Sequence, residues 1–137
     1  MAWKLVDHRA DIGFEAEGDT LEEAFLEGTA AFLFVCTGMT AEELLDMEGE
    51  EETVAMSAED PEELAVSWLN ELLFRMETGS GVFVPQKLEI SLSPPSLHAR
   101  GLTVPLNLDA ISVKAATYGQ MELRTSPRPF MRIFLDI

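Results

Sequence analysis

Asp7, His8 and Asp11 stand together just after the first apolar segment of the chain, and Asp136 stands at its far end beside Ile137. Carboxylates are hard oxygen donors. Asp11, Asp136 and a terminal carboxylate at Ile137 would together suit a hard cation such as Ca²⁺ or Mg²⁺. A plainer reading of the same residues has Asp11 capping a turn and Asp136 ending a fraying strand. A third makes the chain a small metal-dependent hydrolase, with His8 as general base and Asp11 and Asp136 holding the metal. Against it, only one His accompanies these carboxylates, and no second acid–base pair is visible. Other chemistries lack their residues. Gly79-Ser80-Gly81 runs into Val82 with no Lys where a phosphate loop needs one. Spaced Cys or Cys/His ligands for zinc are absent, and no local signature assembles a Ser-His-Asp triad. His98 lies in a strand pattern beside Pro-rich turns and reads as an exposed or hydrogen-bonded strand residue.

The elements that must position these groups are legible from periodicity and punctuation. Trp3 to Val6 and Phe14 to Glu17 read as strands. Thr20 followed by Glu23 is a capping box that opens a helix, and Leu21, Ala24, Phe25, Gly28, Phe32, Val35 and Cys36 share its apolar stripe up to Gly38. Glu51 to Ser57 alternates weakly as a strand. Asp60-Pro61-Glu62-Glu63 starts a second helix, with a capping Asp and Pro in the first turn. Its apolar face runs from Leu64 through Trp68, Leu69, Leu72 and Leu73 to Met76. From Val82 onward the period becomes two, with strand segments Val82–Val84, Leu88–Leu92, Leu97–Val104, Ser112–Tyr118, Met121–Leu123 and Met131–Asp136. Two amphipathic helices and this many strands predict a two-layer α+β domain over residues 1–137, with both helices on a mixed, largely antiparallel sheet.

Charge narrows the function classes. Of 25 acids and 9 bases, 21 acids and 3 bases fall between Met1 and Glu77, leaving 4 acids and 6 bases in the remainder. A net charge of −16 argues against free nucleic acid or an anionic membrane surface as a direct ligand, since both are gripped through Lys and Arg. Basic proteins and metal cations stay open. The single cysteine, Cys36, cannot form an internal disulfide, and no apolar run approaches a membrane span. A soluble cytoplasmic protein is expected.

Several stretches, in order, resemble the archease family: His8-Arg9-Ala10-Asp11-Ile12-Gly13, Thr20 to Phe25, Trp68 to Phe74, Lys114-Ala115-Ala116-Thr117-Tyr118, and Arg132 to Ile137. Each is weak alone, and together they span nearly the whole chain. The resemblance implies a non-catalytic accessory protein, an activator or chaperone, of an RtcB-type ligase in tRNA splicing and RNA repair. Such a protein promotes guanylylation and turnover of the ligase. It also implies a bound divalent cation, usually calcium, with Asp11, Asp136 and Ile137 as its residues here. His8, Lys114, Thr117 and Tyr118 would support the cation or touch the partner. If the Lys114–Tyr118 strand is regular, Lys114, Ala116 and Tyr118 share one face. The chain departs from the family pattern at Arg9, where Thr is usual, at Gly119-Gln120, where a His commonly follows the Tyr, and in the stretch Pro127-Arg128-Pro129-Phe130. The expected partner is thus the ligase, with no stable nucleic-acid complex and no membrane.

Overall fold

The computed structural model describes residues 2–8, 11–106, 108 and 111–137. In chain order the elements are β1 (Trp3–His8), β2 (Asp11–Glu17), α1 (Leu21–Thr37), α2 (Ala41–Leu45), β3 (Glu50–Ser57), α3 (Pro61–Glu77), β4 (Val82–Leu92), β5 (Pro95–Val104), β6 (Ala115–Arg124) and β7 (Phe130–Asp136).

The helix ends follow local chemistry. Thr20 Oγ1 accepts from the Glu23 N–H at 3.1 Å, and Glu23 Oε2 reaches back one residue beyond the cap to accept from the Asp19 N–H at 2.7 Å. At the other end of α1, Gly38 takes the left-handed φ of 75° and its N–H closes on Phe34 O. Asp60 Oδ1 accepts from the Glu63 N–H at 2.7 Å to open α3, with Pro61 as its first residue. The short helix α2 is an addition to the two expected. Thr40 and Glu43 form a reciprocal capping box there, which explains why a five-residue helix persists.

The α+β expectation holds, with helices packed on antiparallel strands, and the strands divide between two sheets. One runs in the order β1-β2-β7-β6 and the other β3-β5-β4. Every pairing among the described residues is antiparallel. Helix α1 explains the division, because it packs against β2 of the first sheet and β4 of the second. It accordingly buries Ala31 and Leu33 as well as the Phe25–Phe32 stripe. Helix α3 lies along β6 and also touches β3, β4 and β5. Phe14, Phe25, Phe32, Trp68, Phe83 and Ile133 are fully buried in one contiguous apolar cluster drawn from both sheets and both long helices. Each such side chain contributes about 1.5–3 kcal/mol by leaving water.

Two pairs of short predicted strands prove to be single long strands carrying irregularities. In β4 the register steps between Pro85 and Lys87, so Pro85 sits at a bulge where its missing N–H costs no ladder bond. Gly101 pairs with Pro85 across that bulge, and a Cβ at Gly101 would approach Pro85 Cα at 2.8 Å. In β6, Thr117 pairs with Phe134 and Glu122 with Arg132, so five steps along one strand answer two along the other. The surplus bulges out around Gln120, whose φ is 56°.

Candidate cation and partner site

Strand register brings the two ends of the chain together. His8 pairs with Asp11 across β1 and β2. Strand β2 pairs with β7 through Ile12–Leu135, and one position further along the same ladder come Asp11 and Asp136, the first residue of β2 and the last of β7. Asp136 in turn pairs with Ala115 of β6. In backbone register His8, Asp11, Asp136 and Ala115 therefore fall in one row across all four strands, and the side chains of Asp11 and Asp136 share a face. Phe14, Ala16, Ile133 and Leu135 point to the core, so Asp11 and Asp136 occupy the opposite face, and both are exposed. Arg9 and Ala10, between His8 and Asp11, lie outside the described residues.

The neighbouring row explains a glycine. Gly13 pairs with Phe134, and a Cβ at Gly13 would meet Phe134 Cδ1 at 2.6 Å. The absent side chain leaves room for the ring directly beside the Asp11–Asp136 row. One row further, Glu15 takes both Lys4 and Arg132 at 3.4 Å. That carboxylate is neutralised, whereas Asp11 and Asp136 have no ion pair among the described residues. Two free carboxylates on adjacent strands favour a cation by charge alone.

The remaining predicted site residues cluster around β6. The Lys114 N–H donates to Asp136 O at 2.7 Å, which fixes Lys114 beside the end of β7. Thr117 Oγ1 donates to Phe134 O at 3.0 Å. Its hydroxyl therefore reinforces the β6–β7 ladder just where the bulge begins. Tyr118 stands on the bulge, with its ring mostly in solvent, beside the first turns of α3. Partial desolvation, then the carboxylates of Glu63 and Asp60, push its phenol above the ordinary value, and a hydrogen bond from Ser67 pulls it down. Ile137 follows Asp136 and is half-exposed. Among the described residues, no three His, Cys, Asp or Glu side chains gather closely enough to hold a metal unaided. Asp11 and Asp136 fit a hard cation in donor type and charge, and their number calls for further oxygens. His98, as expected, is an exposed residue of β5, in the other sheet.

Sequence reasoning missed Asn70. Its side-chain amide bonds both backbone groups of Ala116, with Nδ2 donating to Ala116 O at 3.2 Å and Oδ1 accepting from the Ala116 N–H at 2.8 Å. A polar residue amid the apolar run from Trp68 to Leu73 was the available signal.

Three helices on two antiparallel sheets, with a row of free carboxylates at one sheet end, define an α+β protein of a recognisable class. The chain belongs to the archease family: the archease protein family (MTH1598/TM1083) matches it over residues 3–137. It is 32% identical over 126 residues to the protein archease of Methanothermobacter thermautotrophicus, covering 88% of this chain and 87% of that one. To the protein archease of Pyrococcus furiosus it is 33% identical over 133 residues, covering 91% and 89%. The solution structure of protein 1598 of Methanobacterium thermoautotrophicum superposes with a TM-score of 0.71 at 28% identity, over 99% of both chains. The crystal structure of an archease, described as a possible chaperone, from Thermotoga maritima superposes at 0.63 over 98% and 96%. At 20% identity that second likeness is one of fold alone.

Proposed function

We propose that this chain is an accessory protein of an RtcB-type RNA ligase in tRNA splicing and RNA repair, promoting the ligase's guanylylation and turnover, and that it carries a divalent cation, calcium, as it does so. Membership of the archease family carries this reading. The meeting of Asp11 and Asp136 in one register row supports it, because residues distant in sequence supply hard oxygen donors at one sheet end. Asp11, Asp136 and a main-chain oxygen of Ile137 would hold the ion. Calcium takes six to eight oxygens, so water or the partner completes the shell. When bound, the ion supplies a concentrated positive charge at an otherwise acidic surface. His8 takes the register position next to Asp11, and Lys114 is tied to Asp136 through its backbone. Both are placed to support the ion or meet the partner, as Thr117 and Tyr118 are from the same edge.

The charge distribution fits a protein partner better than RNA. A ligase that holds RNA is basic around its cleft, and the acidic first 77 residues are complementary to such a surface. Covalent chemistry stays with the ligase in this reading. The cytoplasm is the compartment it implies, and no described helix is long and apolar enough to cross a membrane.

The test combines the purified chain with the ligase of the same host and labelled GTP, with and without calcium. Faster guanylylation and multiple-turnover sealing are expected, with no label on this chain. Unchanged ligase kinetics, or label on this chain itself, would overturn the reading.

A further inference from the structure

Helix α3 lies along the outer edge of β6 in a defined alignment. Ser67 meets Tyr118, and Asn70 clasps Ala116. Four residues after Asn70, Phe74 returns to the same helical face, while the strand runs back from Ala116 to Lys114. Phe74 and Tyr118 thus flank the clasp along one seam. They are the two most exposed large apolar side chains among the described residues, at 61% and 55%. Their neighbours Leu69, Leu72 and Leu73 are buried, so the helix has no need of a large apolar group at position 74 to complete its core. At its lower end the seam reaches Lys114 and, through the Lys114–Asp136 hydrogen bond, the sheet end that carries Asp11 and Asp136. Its upper end is framed by the Asp60 and Glu63 carboxylates. Two exposed aromatics, bordered by carboxylates at the upper end and by Lys114 at the lower, have the make-up of an interface centre and its rim.

We propose that this seam, with Phe74 at one end and Tyr118 at the other, is the surface by which the chain docks on a protein partner that offers an apolar socket rimmed by Lys and Arg. The proposal rests on the functional reading above, which makes that partner the RNA ligase, and it places the Asp11–Asp136 row at the border of the contact. The Asp60 and Glu63 carboxylates, part of the acidic excess of the first 77 residues, set the partner's chemistry, since an acidic rim would be repelled and a basic one attracted.

The experiment measures affinity of the full chain for the purified ligase by calorimetry, alongside a separate calcium titration and a melting curve. Phe74→Ala and Tyr118→Ala are each compared with the unaltered chain. Each variant is expected to weaken ligase binding at least about tenfold with calcium affinity and melting unchanged. Tyr118→Phe, which keeps the ring, is expected to bind normally. If one alanine variant fails to fold, the other decides. Full ligase affinity in a folded alanine variant overturns the seam while leaving the functional reading intact. Absence of any complex with the unaltered chain overturns the functional reading and the ligase as occupant together. A dimer of this chain that Phe74→Ala disperses would assign the seam to self-association, and that also overturns the proposal.

Discussion

The side-chain amide of Asn70 pairs with the backbone of Ala116 as a neighbouring strand would, accepting from its N–H at 2.8 Å and donating to its carbonyl at 3.2 Å. Strand β6 is an edge of its sheet, so these two groups face away from β7 and would otherwise need water. The carboxamide has the donor and acceptor spacing of a peptide group, and helix α3 holds it in place. Asn70 thereby fixes α3 against the strand whose far side carries Asp136.

Asn70→Ala should therefore cost stability without disturbing any apolar contact. Two hydrogen bonds at about 0.5–1.5 kcal/mol each, plus partly buried groups left unpaired, give an expected loss of about 2–3 kcal/mol. Asn70→Asp should be no better, since it keeps the acceptor but sets a carboxylate against the Ala116 carbonyl. Urea unfolding midpoints decide this. An alanine variant within about 0.5 kcal/mol of the parent would show that water replaces the amide without loss.

A second polar pair is wholly internal. Thr29 Oγ1 donates to Phe25 O at 2.7 Å and accepts from Trp68 Nε1 at 2.9 Å, joining α1 to α3 inside the core. Thr29→Val keeps the shape but strands the indole N–H, and should cost about 1–3 kcal/mol. Thr29→Ser should retain most of the stability. Trp68→Phe opens a cavity, yet in that background Thr29→Val should cost clearly less, because no N–H remains to be stranded. Equal costs of Thr29→Val in both backgrounds would show that the indole bond contributes nothing.

The features that could be read from sequence were those set by short-range chemistry. Thr20 with Glu23, Asp60 with Pro61, and Gly38 announced their helix ends because a cap is satisfied within three or four residues. Thr40 and Glu43 carry the same signature, but only five residues follow in helical form, too few to show a period. The division into two sheets was not legible, because it depends on α1 having two packed sides. Pro85 and the Gly119-Gln120 pair look like strand breaks, and the structure absorbs both as bulges. Within the candidate site, Asp11 and Asp136 stood out by residue type and position in their motifs. Their adjacency comes from the β2–β7 register, which only the folded sheet specifies. Gly13 gave no local sign of its role, and Asn70 only its polarity within a largely apolar run, since each answers a residue far along the chain, Phe134 and Ala116.

Cys36 should behave as an inert thiol. Burial first, and then the nearby Glu77 carboxylate, push its pKa up from 9.0 to about 12. Since the thiolate is the nucleophile, a disulfide reagent at pH 8 should modify the native protein only through opening of the fold. The folded value lies above the unfolded one, so the neutral thiol's contribution to stability is complete below pH 9 and declines as the pH rises toward 12. Labelling rates measured against urea concentration test the first point, and unfolding midpoints from pH 8 to 11 the second. Rapid labelling under native conditions would contradict the burial of this side chain.

If Asp11 and Asp136 hold one cation between them, their removal should weaken binding without unfolding the protein. Both are exposed at the ends of strands, and neither has an ion pair among the described residues to lose. Asp11→Asn and Asp136→Asn should each lower calcium affinity by at least about tenfold, since loss even of groups supporting metal ligands commonly costs that much. Melting temperatures should stay near the parent's, or rise slightly, because each change removes like-charge repulsion between neighbouring strands. Glu89→Gln, on β4 of the other sheet, supplies the control for a general change in net charge and should bind calcium as the parent does. Ligase stimulation should fall in the two aspartate variants and not in the control. Calorimetric calcium titration of the four proteins settles the question. Parent-like affinity in either aspartate variant would remove that residue from the site, and equal weakening in Glu89→Gln would mean that calcium is drawn to the overall acidity of the chain rather than to this row.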